Sequence, residues 1–377
     1  MKTLRTFIPA FILLFVIAPL LLAQGNNRSE INIPNLPGYV TLKCDFHIHT
    51  VFSDGNVWPT VRVEEAWRDG LDAIALTDHI EYQPHSKDVP TNFNRPYELA
   101  KPLGDKLDII VIKGSEVTRK MPPGHLNAIF LKDADKLKTD DWRDALKAAK
   151  EQGAFIFWNH PNWKAHQKDG IARWYDEHSY LLENGLLNGI EVLNGYTFSP
   201  NAQNWCLEYN LAFMGDSDVH DPIRMEYNYM GKQRRPITLV FAKEKTEAAI
   251  KEALFAGRTA VIFNDTLIGK KEYLLPIFNA SIKYNKNDIV LKKKDSFSLQ
   301  VTNQSDLTYI LSAKNITEEI NCTHNVTLLP SSTSIIEIST GKESQSGRYT
   351  LVYQISNFWT ASGEHSEITL PIHIEVE

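Results

Sequence analysis

Two histidines two residues apart, His47 and His49, carry the first chemical signal of this chain, inside Asp45-Phe46-His47-Ile48-His49-Thr50 and just ahead of Ser53-Asp54-Gly55. At i and i+2 of an extended segment two imidazoles point the same way and can bind one metal ion, and Asp54 follows a short turn later, within reach of the same cavity. Alone, such a pair is equally compatible with an ordinary strand. What changes its weight is the later sequence: Asp78-His79, Glu116, His125, His160 and Asp218-Val219-His220. Divalent ions such as Zn2+, Mn2+ and Fe2+ accept this mixture of imidazole nitrogen and carboxylate oxygen, and a carboxylate such as Glu116 can bridge two of them. Asp78 has a plainer reading, as a turn cap or a group that orients His79. His166 and His178 read as surface residues.

The elements that must position these groups follow from periodicity. From residue 42 to about 263, short apolar runs alternate with helical patterns, which implies repeated β-α units around a parallel sheet. In the first run Leu42, Cys44, Phe46 and Ile48 alternate with Lys43, Asp45, His47 and His49, so both histidines share one face. A helix is expected over 59–68, opened by Pro59 and ended near Gly70. Strand 73–76 runs into Thr77-Asp78-His79, strand 109–112 leads to Glu116, and 125–130 is a further strand. Helix 141–152 closes at Gly153, and strand 154–158 delivers Asn159-His160-Pro161. Strands 190–193, 211–214 and 237–241 and helix 246–256 complete the pattern. Most candidate ligands thus fall at or just beyond the carboxyl ends of strands, where parallel α/β folds assemble their active sites.

The ordered set His47-x-His49, Ser53-Asp54-Gly55, Thr77-Asp78-His79, Glu116, His125, Asn159-His160-Pro161 and Asp218-x-His220 resembles the polymerase-and-histidinol-phosphatase (PHP) superfamily over roughly residues 40 to 264, down to Ala256-Gly257-Arg258-Thr259 at its end. The resemblance implies a distorted (β/α)7 barrel with two or three divalent ions at the carboxyl ends of its strands. It places one ion on His47, His49, Glu116 and Asp218, a second on Glu116, His125 and His160, and a third on Asp54, His79 and His220. Some members have His where this chain has Asp54, which bears on the third ion. Clustered cations would shield the charge of a phosphodiester and lower the pKa of a water, so a hydroxide bridging the ions is the expected nucleophile. Asp54, His79 or His220 would protonate the leaving group if the third position is empty. No Gly-x-Ser-x-Gly elbow or Gly-rich phosphate loop occurs.

The chain ends read differently. Lys2 and Arg5 precede an apolar stretch, 7–22, that closes with Leu21-Leu22-Ala23. A small residue followed by polar, turn-rich sequence favours a cleavable secretory signal over residues 1–23, rather than a lasting membrane anchor, and so a secreted or periplasmic protein. Residues 24–40 form a linker and 41–268 the barrel. Beyond Gly269 only β-rich runs occur (297–301, 334–338, 349–355 and 367–376), which implies an antiparallel, Ig-like β-sandwich over 269–377. Cys44, Cys206 and Cys322 allow at most one disulfide, and Cys44 reads as a buried thiol.

The 377 residues hold 40 Lys and Arg against 46 Asp and Glu, a formal charge of -6. Without a basic stripe, nucleic acid is not an expected partner, and a small-molecule phosphate ester is. Cations that meet the phosphate must be local: Arg224 and Lys164 lie closest to the motifs, with Arg119, Lys120, Arg234 and Arg235 as further options. Trp58, Trp163, Trp174 and Tyr196 occupy loops near the motifs. A secreted phosphodiesterase is the leading expectation. A phosphomonoesterase acting on a small phosphorylated metabolite is the first alternative, and a non-catalytic, metal-stabilised binding protein the second.

Overall fold

The structure, a computed structural model, describes residues 27–227, 233–314, 319–342, 344–361 and 364–377; the expected signal over 1–23 lies outside them. Strand β1 (Val40–Asp45) runs parallel to β2 (Ala73–Leu76), and β2 to β3 (Ile110–Val117), with α1 (Pro59–Arg68) and α2 (Arg95–Leu107) as the crossovers. In α1, Pro59 presets the first turn, and Pro59, Arg62, Val63 and Ala66 share the buried face at helical spacing. Gly70 follows at φ 84°, where a Cβ would lie 2.3 Å from the Ser29 carbonyl oxygen, so no other residue fits.

The parallel pattern breaks at β4 (Leu126–Ile129), which is antiparallel both to β3 and to β5 (Phe155–Trp158). The loop from β3 to β4 contains no helix, and a parallel return needs a crossover of about a dozen residues or more. Helix α3 (Trp142–Glu151), capped by Asp141, joins β4 to β5. Parallel pairing resumes from β5 to β6 (Gly189–Asn194) and from β6 to β8 (Ala212–Asp216), through α4 (Asp176–Glu183), the two-residue hairpin strand β7 (Thr197–Phe198) and α5 (Pro200–Glu208). After the single turn α6 (Ile223–Glu226), β9 (Ile237–Ala242) returns antiparallel to β1, and α7 (Glu247–Phe255) leads to β10 (Thr259–Phe263), antiparallel to β9.

Closure of the barrel between β8 and the β9–β10 pair uses side chains instead of a ladder. The amides of Phe213 and Gly215 donate to the hydroxyls of Thr259 and Thr238, each at 2.9 Å. A Cβ on Gly215 would lie 2.1 Å from Val261, so glycine lets the two strands meet. Inside, Phe46 just after β1 packs with Ala75, Ile112, Phe157, Met214 and Val240 of five strands into one apolar cluster, as expected for strands buried on both faces.

The next strand, β11 (Thr266–Gly269), pairs with β10, and a helix follows where only β-structure was expected. This helix, α8 (Lys271–Ser281), is short and contains Pro276, which hid its period, yet Leu274, Ile277 and Phe278 at i, i+3 and i+4 are all buried. The C-terminal module is a β-sandwich. One layer is antiparallel, built from β12 (Ile282–Tyr284), β14 (Ser296–Asn303), β16 (Ile320–Cys322) and β18 (Ser332–Thr340). The other holds β15 (Tyr309–Ala313), β17 (Asn325–Leu328), β20 (Val352–Ala361) and β21 (Glu364–Thr369). A smaller sheet joins β13 (Asp288–Leu291), β19 (Gly347–Tyr349) and β22 (His373–Val376). The expected strand over 367–376 is therefore two, divided at Pro371, which cannot donate to a ladder, and that over 349–355 divides before Val352.

Barrel and sandwich share one sheet. β20 pairs parallel with β11, Phe358 opposite Leu267 and Trp359 opposite Ile268. Gln203 donates to the Trp359 carbonyl at 2.7 Å, and the Trp359 ring lies 4.8 Å from Phe198. All three cysteines are free and buried. Burial and the neighbouring Asp72 push the Cys44 thiol well above its ordinary value, so it is an inert packing group. Among the described residues no helix is long and apolar enough to cross a membrane.

Candidate metal centre

Strand β1 ends at Asp45, and the next residues continue alongside the segment after β8. His49 N–H donates to Val219 O at 3.1 Å and Asp218 N–H to His47 O at 2.9 Å, which lays 47–49 against 217–219. His47 and His49 thereby meet Asp218. Their Nε2 atoms are 3.0 Å apart, and Asp218 Oδ1 lies 3.1 Å from each. Glu116 Oε2, from the end of β3, lies 3.1 Å from His47 Nε2 and 3.3 Å from His49 Nε2. Donors around a tetrahedral ion, each about 2.0–2.1 Å from it, stand roughly 3.3 Å apart. His47, His49 and Glu116 meet that spacing, and Asp218 Oδ1 meets it toward the two imidazoles from their other side.

The other oxygen of Glu116 faces a second group. Oε1 is 2.6 Å from His125 Nδ1 and 3.8 Å from His160 Nε2. Glu116 Oε1 and His125 Nδ1 are both buried, 2.6 Å apart, and lack a well-aligned hydrogen-bond partner among the described residues. A carboxylate oxygen and an imidazole nitrogen converging on one point form a donor set that fits a divalent ion. A third group surrounds Asp54 Oδ1, with His220 Nε2 at 3.3 Å, His79 Nε2 at 3.4 Å and His49 Nδ1 at 3.7 Å.

Charge is concentrated here. Burial alone would push His49 down, but Asp218 and Glu116 outweigh it and raise it to about 10. His47 is likewise held well above its ordinary value against burial, by Asp218, Glu191 and Glu116. Burial would raise the carboxylates, yet the imidazoles around them hold Glu116, Asp218 and Asp54 below the usual range. A divalent cation would take over the role of these protons. His160 and Asp218 also adopt positive φ, 31° and 54°, conformations that cost energy in a residue with a Cβ and that cluster at functional positions.

Around the ligands stands a layer that periodicity did not mark. Glu191, an acid within the apolar strand β6, receives the Nδ1 hydrogen of His47 at 2.8 Å and the His160 N–H at 2.7 Å. Its place in a strand buried on both faces was the available signal, since a buried carboxylate needs partners. Arg62 is fully buried and donates to the carbonyls of His49, Val219, His220 and Asp221, which ties two ligand-bearing loops together. Asp78 accepts from Thr50 N–H, Thr50 Oγ1 and Ser53 Oγ at 2.7–2.8 Å. It fixes the loop that carries Asp54, and His79 Nδ1 instead meets Thr118 Oγ1 at 2.6 Å.

Other expectations need correction. His178 is not a surface residue: it is buried, stacked on Trp158 at 3.8 Å, with Nε2 against the Pro123 carbonyl at 2.9 Å. His166 stands at the rim, edge-on to His125 at 4.9 Å. Arg235 is buried against Asp45 and Asp69, and Arg119 is held by Glu81 and the Thr139 carbonyl, so neither is placed to meet a phosphate. Arg224 and Lys164 are exposed, and among the described residues no ion pair joins either to the cluster. Arg224 borders a small cleft with Arg68 and Asp69. Trp174 packs against Trp205 and Tyr209, whereas Trp58, Trp163 and Tyr196 are 44%, 45% and 52% exposed.

Residues 45–188 match the PHP domain family, and 282–371 match an Ig-like domain family. The crystal structure of a two-domain protein from Bacteroides vulgatus, described as containing a predicted PHP-like metal-dependent phosphoesterase, superposes with a TM-score of 0.87 at 43% identity. That match covers 92% of this chain and 99% of the other. An uncharacterized protein of Methanocaldococcus jannaschii is 36% identical over 94 residues, 25% of this chain and 41% of that protein's length. The chain belongs to the PHP family of metal-dependent phosphoesterases, in a two-domain form with an Ig-like C-terminal module.

Proposed function

We propose that the protein is a secreted phosphodiesterase in which His47, His49, Glu116 and Asp218 hold one divalent ion, Glu116, His125 and His160 a second, and Asp54, His79 and His220 a third. The observation that carries this reading is the split of Glu116: one oxygen lies 3.1 Å from His47 and the other 2.6 Å from His125, so one carboxylate faces two imidazole groups. Bound divalent ions would supply charge shielding for the phosphate oxygens and a lowered pKa for the attacking water.

The chain's own residues set the rest. Donating Nδ1–H to Glu191 leaves the His47 Nε2 lone pair facing the cluster, which selects the ligating tautomer. His220, 34% exposed, is the most open of the imidazoles around Asp54. With the third position empty, His79 and His220, linked through Asp54, would pass a proton to the leaving oxygen. Since Arg119 and Arg235 are committed elsewhere, the single negative charge of a diester suits this surface better than the two of a monoester. Export is supported by Lys2, Arg5 and the apolar stretch 7–22.

The experiment is metal analysis of the purified chain together with hydrolysis rates on matched mono- and diesters. Two or more ions per chain and faster diester cleavage are expected. Full activity in metal-free protein would overturn the reading, and faster monoester cleavage would reassign it to a phosphomonoesterase.

A further inference from the structure

Two loops that begin at candidate ligands enclose an apolar cleft. The loop between β1 and α1 passes from His49 through Phe52 and Asp54 to Trp58, and the loop between β2 and α2 passes from His79 through Val89 and Pro90. Between them, Phe52, Trp58, Val89, Pro90 and Leu99 line a cleft of about 370 Å³. Small-molecule sites run from about 300 to 1,000 Å³, so it can take one ring system.

The cleft is fixed relative to the metal centre. Three hydrogen bonds to Asp78 hold Thr50 and Ser53 on either side of Phe52. Gly55 sits so tightly on the His49 backbone that a Cβ there would lie 2.7 Å from it. Phe52 is thus held two residues from Asp54. Its ring stands 5.6 Å from that of Trp58, which leaves 44% of its surface in solvent. Exposed aromatic side chains gather at this end of the barrel: Tyr82 is 53% exposed and 6.1 Å from His79, and Trp163 lies 5.7 Å from His125. The charges bordering the cleft are mixed: Asp88 is acidic, and Arg95 is paired with Glu98 at 3.1 Å.

We propose that this cleft is a specificity subsite that takes the non-leaving organic substituent of a phosphodiester, selecting a neutral, aromatic one. The proposal rests on the phosphodiesterase reading above. With the phosphorus seated on the metal centre, one ester arm extends past Asp54 into the cleft, where stacked or edge-on contact with Phe52 and Trp58 replaces water. A second phosphate in this arm would meet Asp88 and an already paired arginine.

The test uses the full chain loaded with Mn2+ and three diesters that share a 4-nitrophenolate leaving group and carry ethyl, benzyl or 2-naphthylmethyl as the second arm. These arms have similar intrinsic reactivity, so differences in kcat/KM report binding. Benzyl and naphthylmethyl esters are expected to exceed the ethyl ester by about tenfold or more, the scale of one well-fitted apolar group. The ratio should fall toward one in Phe52→Ala and Trp58→Ala, and also in Leu99→Trp, which fills the cleft, with metal content retained in all three. A wild-type ratio near one, or a ratio that survives all three substitutions, would overturn the subsite while leaving the phosphodiesterase reading standing. Absence of hydrolysis with every ester would overturn both.

Discussion

The carboxylate of Glu191 grips His47 from behind, accepting its Nδ1 hydrogen at 2.8 Å, and the same side chain accepts the backbone N–H of His160 at 2.7 Å. One buried acid thus sets a ring angle in one candidate ligand group and the strained backbone of another. With Asn194 Nδ2 also donating to it at 2.9 Å, both carboxylate oxygens are needed as acceptors. In Glu191→Gln the new NH2 must oppose one of these donors, and a loss of about 10–100-fold in turnover or metal affinity is expected, the usual range for groups that orient ligands. Unchanged turnover and metal content in the variant would show that the ligands hold themselves.

Glu116→Gln should cost more than Glu191→Gln. Glutamine keeps one oxygen for one group and presents a donor to the other, so one of the two facing sets loses its anionic ligand. The expected signature is a lower metal count per chain, measured by elemental analysis, together with a loss exceeding 100-fold, beyond the range of about 10–100-fold for orienting groups. Equal effects from the two substitutions would mean that Glu116 only orients its neighbours.

A third expectation concerns acid. Burial lowers His178 to about 4, while an unfolded histidine titrates near 6.5. As pH falls below about 6.5 the unfolded chain takes up this proton first, and the folded ring resists until about 4. Stability therefore declines across that window as pH falls, by on the order of 3 kcal/mol from this group. His178→Phe keeps a ring against Trp158 but cannot be protonated. Its melting temperature should fall less steeply from pH 7 to pH 4 than that of the wild type in chelated samples, and parallel slopes would refute the assignment.

The fourth expectation follows from the shared sheet. Cutting the chain after Gly269 exposes β11 as an unpaired edge, so the isolated barrel should aggregate. In the full chain, Trp359→Ala removes the contact with Phe198 and should separate one calorimetric transition into two. A soluble, monomeric barrel fragment with an unchanged melting temperature would contradict this.

The sequence was most informative where local chemistry decides the structure. α1 was legible because Pro59 and Gly70 mark its two ends, and β2 because an apolar run meets Thr77-Asp78-His79. The pair His47 and His49 was visible because i, i+2 spacing needs no tertiary information. The antiparallel insertion of β4 was not, since strand direction depends on what the β3–β4 loop does in space. Glu191 and Arg62 were given no role because their main contacts reach residues more than a hundred positions away, His47 and the 219–221 carbonyls. His178 looked like a surface residue because nothing local announces the stack on Trp158.

The threonine seam beside β8 has a dynamic consequence. Among the described residues, that strand carries a backbone ladder to β6 only, and on its other side Phe213 and Gly215 are held by the Thr259 and Thr238 hydroxyls. A hydroxyl rotates away more readily than a neighbouring peptide group, so these two amides should exchange with deuterium ahead of the amides of β1, which is laddered on both sides. Because the segment after β8 carries Asp218 and His220, brief opening of this seam would give the more open side of the centre its own clock, slower than side-chain rotation and faster than global unfolding.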